Sequence, residues 1–124
     1  MTVICWLAEL LPERPVAVLV GGVQLAVVRL HDDRICAVGM WDPIARANVM
    51  ARGLVGSRIV DGEEVPVIFS PMYKEPYDLR TGVGLADPEV CLGSWRAEVS
   101  GARVVVGDRL RAPRYPAPAL AEAG

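Results

Sequence analysis

Ser70-Pro71-Met72-Tyr73-Lys74-Glu75-Pro76-Tyr77-Asp78-Leu79-Arg80-Thr81-Gly82 is the stretch that decides the fold of this chain. It reads as a long loop, entered from an apolar run at residues 65–69. Asp78 and Thr81 carry short oxygen-bearing side chains that bond nearby backbone, and Gly82 ends the turn. For both residues that local duty outweighs a catalytic one. Tyr73 and Tyr77 add amphipathic rings, each an apolar body with a hydroxyl suited to a polar partner.

Around this loop the chain has the pattern of short strands. Residues 3–8 read as a first strand, ended by Leu11-Pro12. Residues 16–20 and 24–30 flank Gly21-Gly22, a pair that accepts the positive φ of a tight hairpin turn. His31-Asp32-Asp33-Arg34 forms the next turn, and residues 35–38 the next strand. A second long loop spans residues 40–56. Asp42-Pro43 opens it, residues 45–51 are expected to form one or two helical turns, and Gly53 and Gly56 close it. Residues 59–60 and 65–69 flank Asp61-Gly62 as another hairpin, and Pro66 assigns the second arm to a sheet edge or a bulge. Residues 83–92, punctuated by glycine and proline, read as irregular. Residues 95–99 and 102–106 make a last hairpin about Ser100-Gly101, with Trp95, Ala97 and Val99 alternating with Arg96 and Glu98. About ten short strands with closely spaced turn signals predict an all-β fold, a small antiparallel sandwich or barrel carrying two long loops. Residues 1–111 form this domain, and the Pro/Ala-rich residues 112–124 read as a poorly ordered tail.

With 124 residues, 52% of them apolar, the chain is long enough to bury one real core. Thirteen basic and 15 acidic residues give a net charge of −2. The absence of a basic block argues against nucleic acid or an anionic membrane as partner. The longest uncharged run, residues 15–28, is too short to span a bilayer and contains Gly21-Gly22. The N-terminus has no basic region, and Glu9 and Pro12 interrupt its apolar stretch, unlike a signal peptide. A cytoplasmic location is the resulting expectation. Cys5, Cys36 and Cys91 lie far apart without C-x-x-C spacing and read as reduced, buried thiols. With the lone His31, a solvated turn residue, they do not compose a zinc site. Trp6, Trp41 and Trp95 read as core or rim anchors.

The two long loops share a frame. The second carries Ser70-Pro71, then Tyr73, then the aromatic Tyr77, Asp78-Leu79 and Thr81-Gly82. The first carries Asp42-Pro43-Ile44, followed by Ala45, Ala47, Val49 and Gly53. This frame resembles the two cluster-binding loops of a Rieske iron–sulfur domain, each of which supplies one cysteine and one histidine. By that resemblance Asp42 and Ser70 stand at cysteine positions, and Ile44 and Tyr73 at histidine positions. A Rieske cluster takes two thiolates on one iron and two imidazoles on the other. Neither loop contains a cysteine or a histidine.

Over roughly residues 3–107 the chain is similar to the small subunit of assimilatory NAD(P)H-dependent nitrite reductase, a Rieske-like ferredoxin domain without cluster ligands. Trp41-Asp42-Pro43-Ile44, the run from Ala47 to Gly56, Ser70-Pro71-Met72-Tyr73-Lys74 and the run from Tyr77 to Gly82 carry the similarity. The resemblance implies a chain with no cofactor, no metal and no catalytic residue of its own, inactive in isolation. It implies a cytoplasmic large subunit carrying FAD, siroheme and a [4Fe-4S] cluster, which reduces nitrite to ammonium. The two loops would then form a docking face. Trp41, Met50, Arg52, Met72, Tyr73 and Tyr77 are its candidate contacts, being residue types that commonly anchor interfaces. Arg52 suits pairing with a nearby acid equally well, and the two tyrosines suit packing of the space a cluster would fill. The alternative function is a free-standing, cluster-less binding module for another reductase or a small ligand.

Overall fold

The computed structural model describes residues 1–115. Eleven strands and two short 3-10 turns follow one another among these residues. The strands are β1 Thr2–Trp6, β2 Val16–Val20, β3 Val23–Arg29, β4 Ile35–Gly39, β5 Trp41–Asp42, β6 Ala47–Asn48, β7 Val55–Val60, β8 Glu63–Phe69, β9 Pro76–Asp78, β10 Ser94–Ser100 and β11 Arg103–Arg111. Six form one antiparallel sheet in the order β1-β11-β10-β4-β3-β2. Its two edge strands come back into contact, so the sheet nearly closes on itself. A second sheet has the order β7-β8-β9, and β5-β6 is a small hairpin of its own. The expected all-β architecture is the one found.

The hairpins sit where the turn signals put them. Gly21 and Gly22 join β2 to β3 with φ of 55° and 80°, values open to glycine and strained for most residues. Strand β3 is apolar on both faces because both are covered. Leu25 and Val27 point into one core with Ala37, Val104 and Val106. Ala26 and Val28 point into the other, with Val38, Ile68, Leu79 and Leu92. The second core lies between the large sheet and the loop-bearing small one, so the loops are mounted on a packed base.

Three sequence expectations need correction. Residues 45–51 form no helical turns over most of their length. The Val49 and Met50 N–H groups both bond the Met40 carbonyl, at 3.0 and 3.1 Å, instead of carbonyls four residues back, while an isolated helix-type bond runs from the Arg46 N–H to the Asp42 carbonyl at 2.7 Å. The donors that a helix would use are taken by the hairpin, and only Met50–Arg52 closes a 3-10 turn. Pro66 does not mark an edge: β8 is the central strand of its sheet. The β8–β9 register begins at Val67↔Asp78, one residue past the proline, so the missing N–H falls outside that ladder. Finally, the segment after residue 111, expected as a loose tail, is tied down at Arg114. Arg111 pairs with Ser94, and Arg114 exchanges backbone hydrogen bonds with Cys91 at 2.7 and 2.8 Å. The Arg114 guanidinium also bonds the carbonyls of Glu89 and Pro88, at 2.7 and 2.6 Å. The rest of the expected tail lies outside the described residues.

Candidate functional site

The first loop begins in the β5–β6 hairpin. Asp42 is fully buried, and its carboxylate is nonetheless bonded on both oxygens. Oδ1 accepts the N–H groups of Ile44 and Ala45, at 3.0 and 3.2 Å, as an aspartate before a turn commonly does. Oδ2 accepts the hydroxyl proton of Ser70 from the other loop. Ser70, 1% exposed, in turn accepts the Tyr73 N–H on its Oγ at 3.4 Å. Its backbone folds the second loop, accepting from Lys74 at 2.9 Å and donating to Glu75 at 2.9 Å. The two positions that correspond to cysteines therefore bond each other in the interior. The two that correspond to histidines, Ile44 and Tyr73, are 43% and 52% exposed.

These residues do not fit a [2Fe-2S] cluster. The site offers one carboxylate, one hydroxyl, one phenol and one alkyl chain where two thiolates and two imidazoles are required. The cysteines lie elsewhere, Cys5 in β1, Cys36 in β4 and Cys91 beyond the second loop, all of them free thiols. His31 sits in the β3–β4 turn, 3.3 Å from a Glu13 oxygen and well exposed. Among the described residues no cluster of three His, Cys, Asp or Glu is placed to hold a metal ion.

The far end of the second loop is a bonded turn, as its composition suggested. The Asp78 carbonyl accepts from Thr81 and Gly82, at 3.3 and 2.6 Å, and Thr81 Oγ1 accepts the Val83 N–H at 3.2 Å. The Asp78 carboxylate holds Arg80 through its backbone N–H at 2.8 Å and its guanidinium at 3.0 and 3.1 Å. That hydrogen bond to Asp78 raises the already high pKa of Arg80. Gly82 has φ of 80°, and a Cβ there would meet the Gly93 carbonyl oxygen at 2.5 Å, so both backbone and space require glycine. Cys91 backs this turn, with its Sγ 3.6 Å from the Thr81 carbonyl.

Of the six candidate docking residues, Arg52, Met72 and Tyr73 are exposed and Trp41 is half-buried. Met50 and Tyr77 are not on the face: they are 0% and 2% exposed, packed with Met40, Ile68 and Leu79. They fill the interior beneath the loops, where a long apolar side chain and an aromatic ring contribute more by burial than at a rim. Burial first, and the nearby Asp42 charge second, push the Tyr77 hydroxyl far above the ordinary tyrosine range. Four further exposed residues of these loops were not among the six docking candidates: the apolar Ile44 and Leu54 and the cations Arg46 and Lys74. A signal for the cations was present. Each follows a cysteine-equivalent position by four residues, in Asp42-Pro43-Ile44-Ala45-Arg46 and in Ser70-Pro71-Met72-Tyr73-Lys74.

The family described as the Rieske-like [2Fe-2S] domain matches residues 1–107. The nitrite reductase (NADH) small subunit of Escherichia coli K12 is 31% identical over 97 residues, which cover 77% of this chain and 86% of that protein. The nitrite reductase [NAD(P)H] large subunit of Klebsiella oxytoca is 30% identical over 106 residues, covering 86% of this chain but only 11% of that protein. Among solved structures, one from Mycobacterium tuberculosis assigned as an NADH-dependent nitrite reductase small subunit superposes with a TM-score of 0.78 at 38% identity. The match covers 85% of this chain and 91% of that one.

Proposed function

Because the chain belongs to the Rieske-like [2Fe-2S] domain family, and within it to the small subunits of NAD(P)H nitrite reductase, we propose that it is the accessory subunit of such an enzyme, docked on a large subunit that performs the chemistry. The observation that carries this reading is the double setting of the domain. It is similar both to most of a separate small subunit and to a short part of a large one. A domain that occurs both beside and inside the large chain is one that works against it.

The donor set supports an indirect role. With Asp42 bonded to Ser70, and with Ile44 and Tyr73 at the remaining positions, the chain holds no cluster and transfers no electrons. The redox groups, FAD, siroheme and a [4Fe-4S] cluster, belong to the large subunit, which takes nitrite to ammonium in the cytoplasm. The small chain contributes a rigid face that orients or stabilises its partner. No helix among the described residues is long and apolar enough to cross a membrane.

The test is to purify the large subunit with and without this chain and to follow nitrite-dependent NAD(P)H oxidation and co-elution. Association, with activity or stability of the large subunit raised by the chain, is expected. Nitrite reduction by the isolated chain, or a large subunit that neither binds it nor responds to it, would overturn the proposal.

A further inference from the structure

The two loop tips are built alike. Residues 42–46 and 70–74 each start with an interior residue followed by proline, and each ends in a cation. In each, the carbonyl of the first residue accepts the N–H of the fifth: Arg46 to Asp42 at 2.7 Å, Lys74 to Ser70 at 2.9 Å. In each, the fifth residue has positive φ, 57° at Arg46 and 56° at Lys74. The third presents an exposed apolar side chain, Ile44 at 43% and Met72 at 67%. The Ser70–Asp42 hydrogen bond ties the first residues together, so the two tips stand side by side.

Left-handed backbone is easy for glycine and strained for a side-chain-bearing residue. Three other non-glycine residues share it, Glu13, Asp33 and Asp61. Asp33 and Asp61 lie in hairpin turns, where aspartate tolerates the conformation. Glu13, Arg46 and Lys74 are not residue types that favour it, and of these three only Arg46 and Lys74 lie in the two loops, at matching places; strain kept where glycine would remove it is typical of functional positions. Arg52 adds a third exposed cation next to the loops. None of the three belongs to an ion pair among the described residues. The acids of the same loops are withdrawn: Asp42 is buried and bonded, Asp78 holds Arg80, and Glu75 is half-buried. Glu75 and the exposed Asp87 line a hollow beside Ile44, so on a chain of net charge −2 the three cations outnumber the acids next to them.

We propose that this twin-tip face docks on an acidic patch of the large subunit. Ile44, Met72 and Tyr73 supply the apolar contact, and Arg46, Arg52 and Lys74 meet carboxylates around it. The inference rests on the accessory-subunit reading and adds the chemistry of the partner's surface. Charge of this kind governs encounter rate and register, and its reach shrinks with added salt.

The experiment titrates the cofactor-loaded large subunit with the wild-type chain, with the double variant Arg46→Gly, Lys74→Gly, and with the double variant Arg46→Glu, Lys74→Glu, at low and high salt. Melting of each isolated chain is measured alongside. The glycine variant is expected to melt at or above the wild-type temperature, because glycine relaxes both tips, yet to bind about tenfold or more weakly. The glutamate variant binds more weakly still, and wild-type affinity falls as salt rises. Wild-type binding that is insensitive to salt, or equal binding by the variants, would overturn this inference and leave the accessory role standing. An early-melting glycine variant would assign the cations to packing and overturn it as well. Self-association of the chain abolished by the glutamate variant would replace the large subunit with a second copy. No wild-type binding at any salt would overturn both readings together.

Discussion

The Ser70 hydroxyl donates to the Asp42 carboxylate across the two loops, and both residues are sealed from solvent. In the family frame these are the two positions whose sulfurs would share one iron. Here a single side-chain hydrogen bond spans the same gap. Two backbone N–H groups bond the other oxygen, so neither oxygen of this buried carboxyl group lacks a partner. The pair joins the two loops directly.

Removing one side of that pair should be costly. Ser70→Ala leaves Asp42 Oδ2 buried and unbonded, a loss of about 1–3 kcal/mol. A fall of several degrees in the thermal midpoint is expected. Asp42→Ala should cost more, since it also strands the Ile44 and Ala45 N–H groups. Asp42→Asn should cost least, because its oxygen still accepts from the backbone and its amide can donate to Ser70. Thermal melts of the three variants check the order, and an unchanged Ser70→Ala would deny the pair any role in holding the loops.

The purified chain should be colourless. Iron and acid-labile sulfide, assayed after anaerobic purification, are expected well below one equivalent. Stoichiometric iron with sulfide would mean that donors outside the two loops assemble a cluster.

Stability should decline in alkali in two steps. Burial pushes the Cys36 thiol up to about 11 and the Tyr77 hydroxyl beyond the usual range. The unfolded chain loses these protons earlier, near about 8.5 and about 10, and so binds fewer protons than the folded one above those values. The stabilisation is therefore complete below about pH 8.5 and is lost as pH rises, first through Cys36 and then through Tyr77. Cys36→Ala should flatten the first step and Tyr77→Phe the second, each on a lower baseline from the lost packing. Melting midpoints measured from pH 7 to 11 decide it: variants that decline in parallel with the wild type would exclude these two groups.

Truncation after Leu110 should destabilise the domain, because it removes the Ser94↔Arg111 pair and the Arg114 bridge to Cys91. A loss of roughly 1–2 kcal/mol, several degrees, is expected, with part of it reproduced by Arg114→Ala. An unchanged midpoint after truncation would show that the segment adds nothing to the fold.

The hairpins and the second loop were legible because their signals are local. Gly21-Gly22, Asp61-Gly62 and Ser100-Gly101 each mark a turn by composition, and Asp78, Thr81 and Gly82 bond one another within five residues. What was missed depends on partners distant in sequence. The helical expectation at 45–51 failed because Met40 takes the donors of Val49 and Met50. Met50 and Tyr77 are residue types that serve cores and interfaces alike, and only the fold decides between them. The Arg114 bridge follows proline and alanine that mimic a loose tail. The strain at Arg46 and Lys74 left no trace in residue type, since neither is a residue that favours positive φ.

The central claim is that the loops of a cluster-binding frame, closed by Asp42 and Ser70, serve to dock the chain on a partner. Calorimetric titration of the purified chain into the large nitrite reductase subunit tests it most directly. Saturable association at micromolar Kd or tighter, about −8 kcal/mol or better, is predicted. No heat and no co-elution at low salt, with both proteins folded, would contradict it.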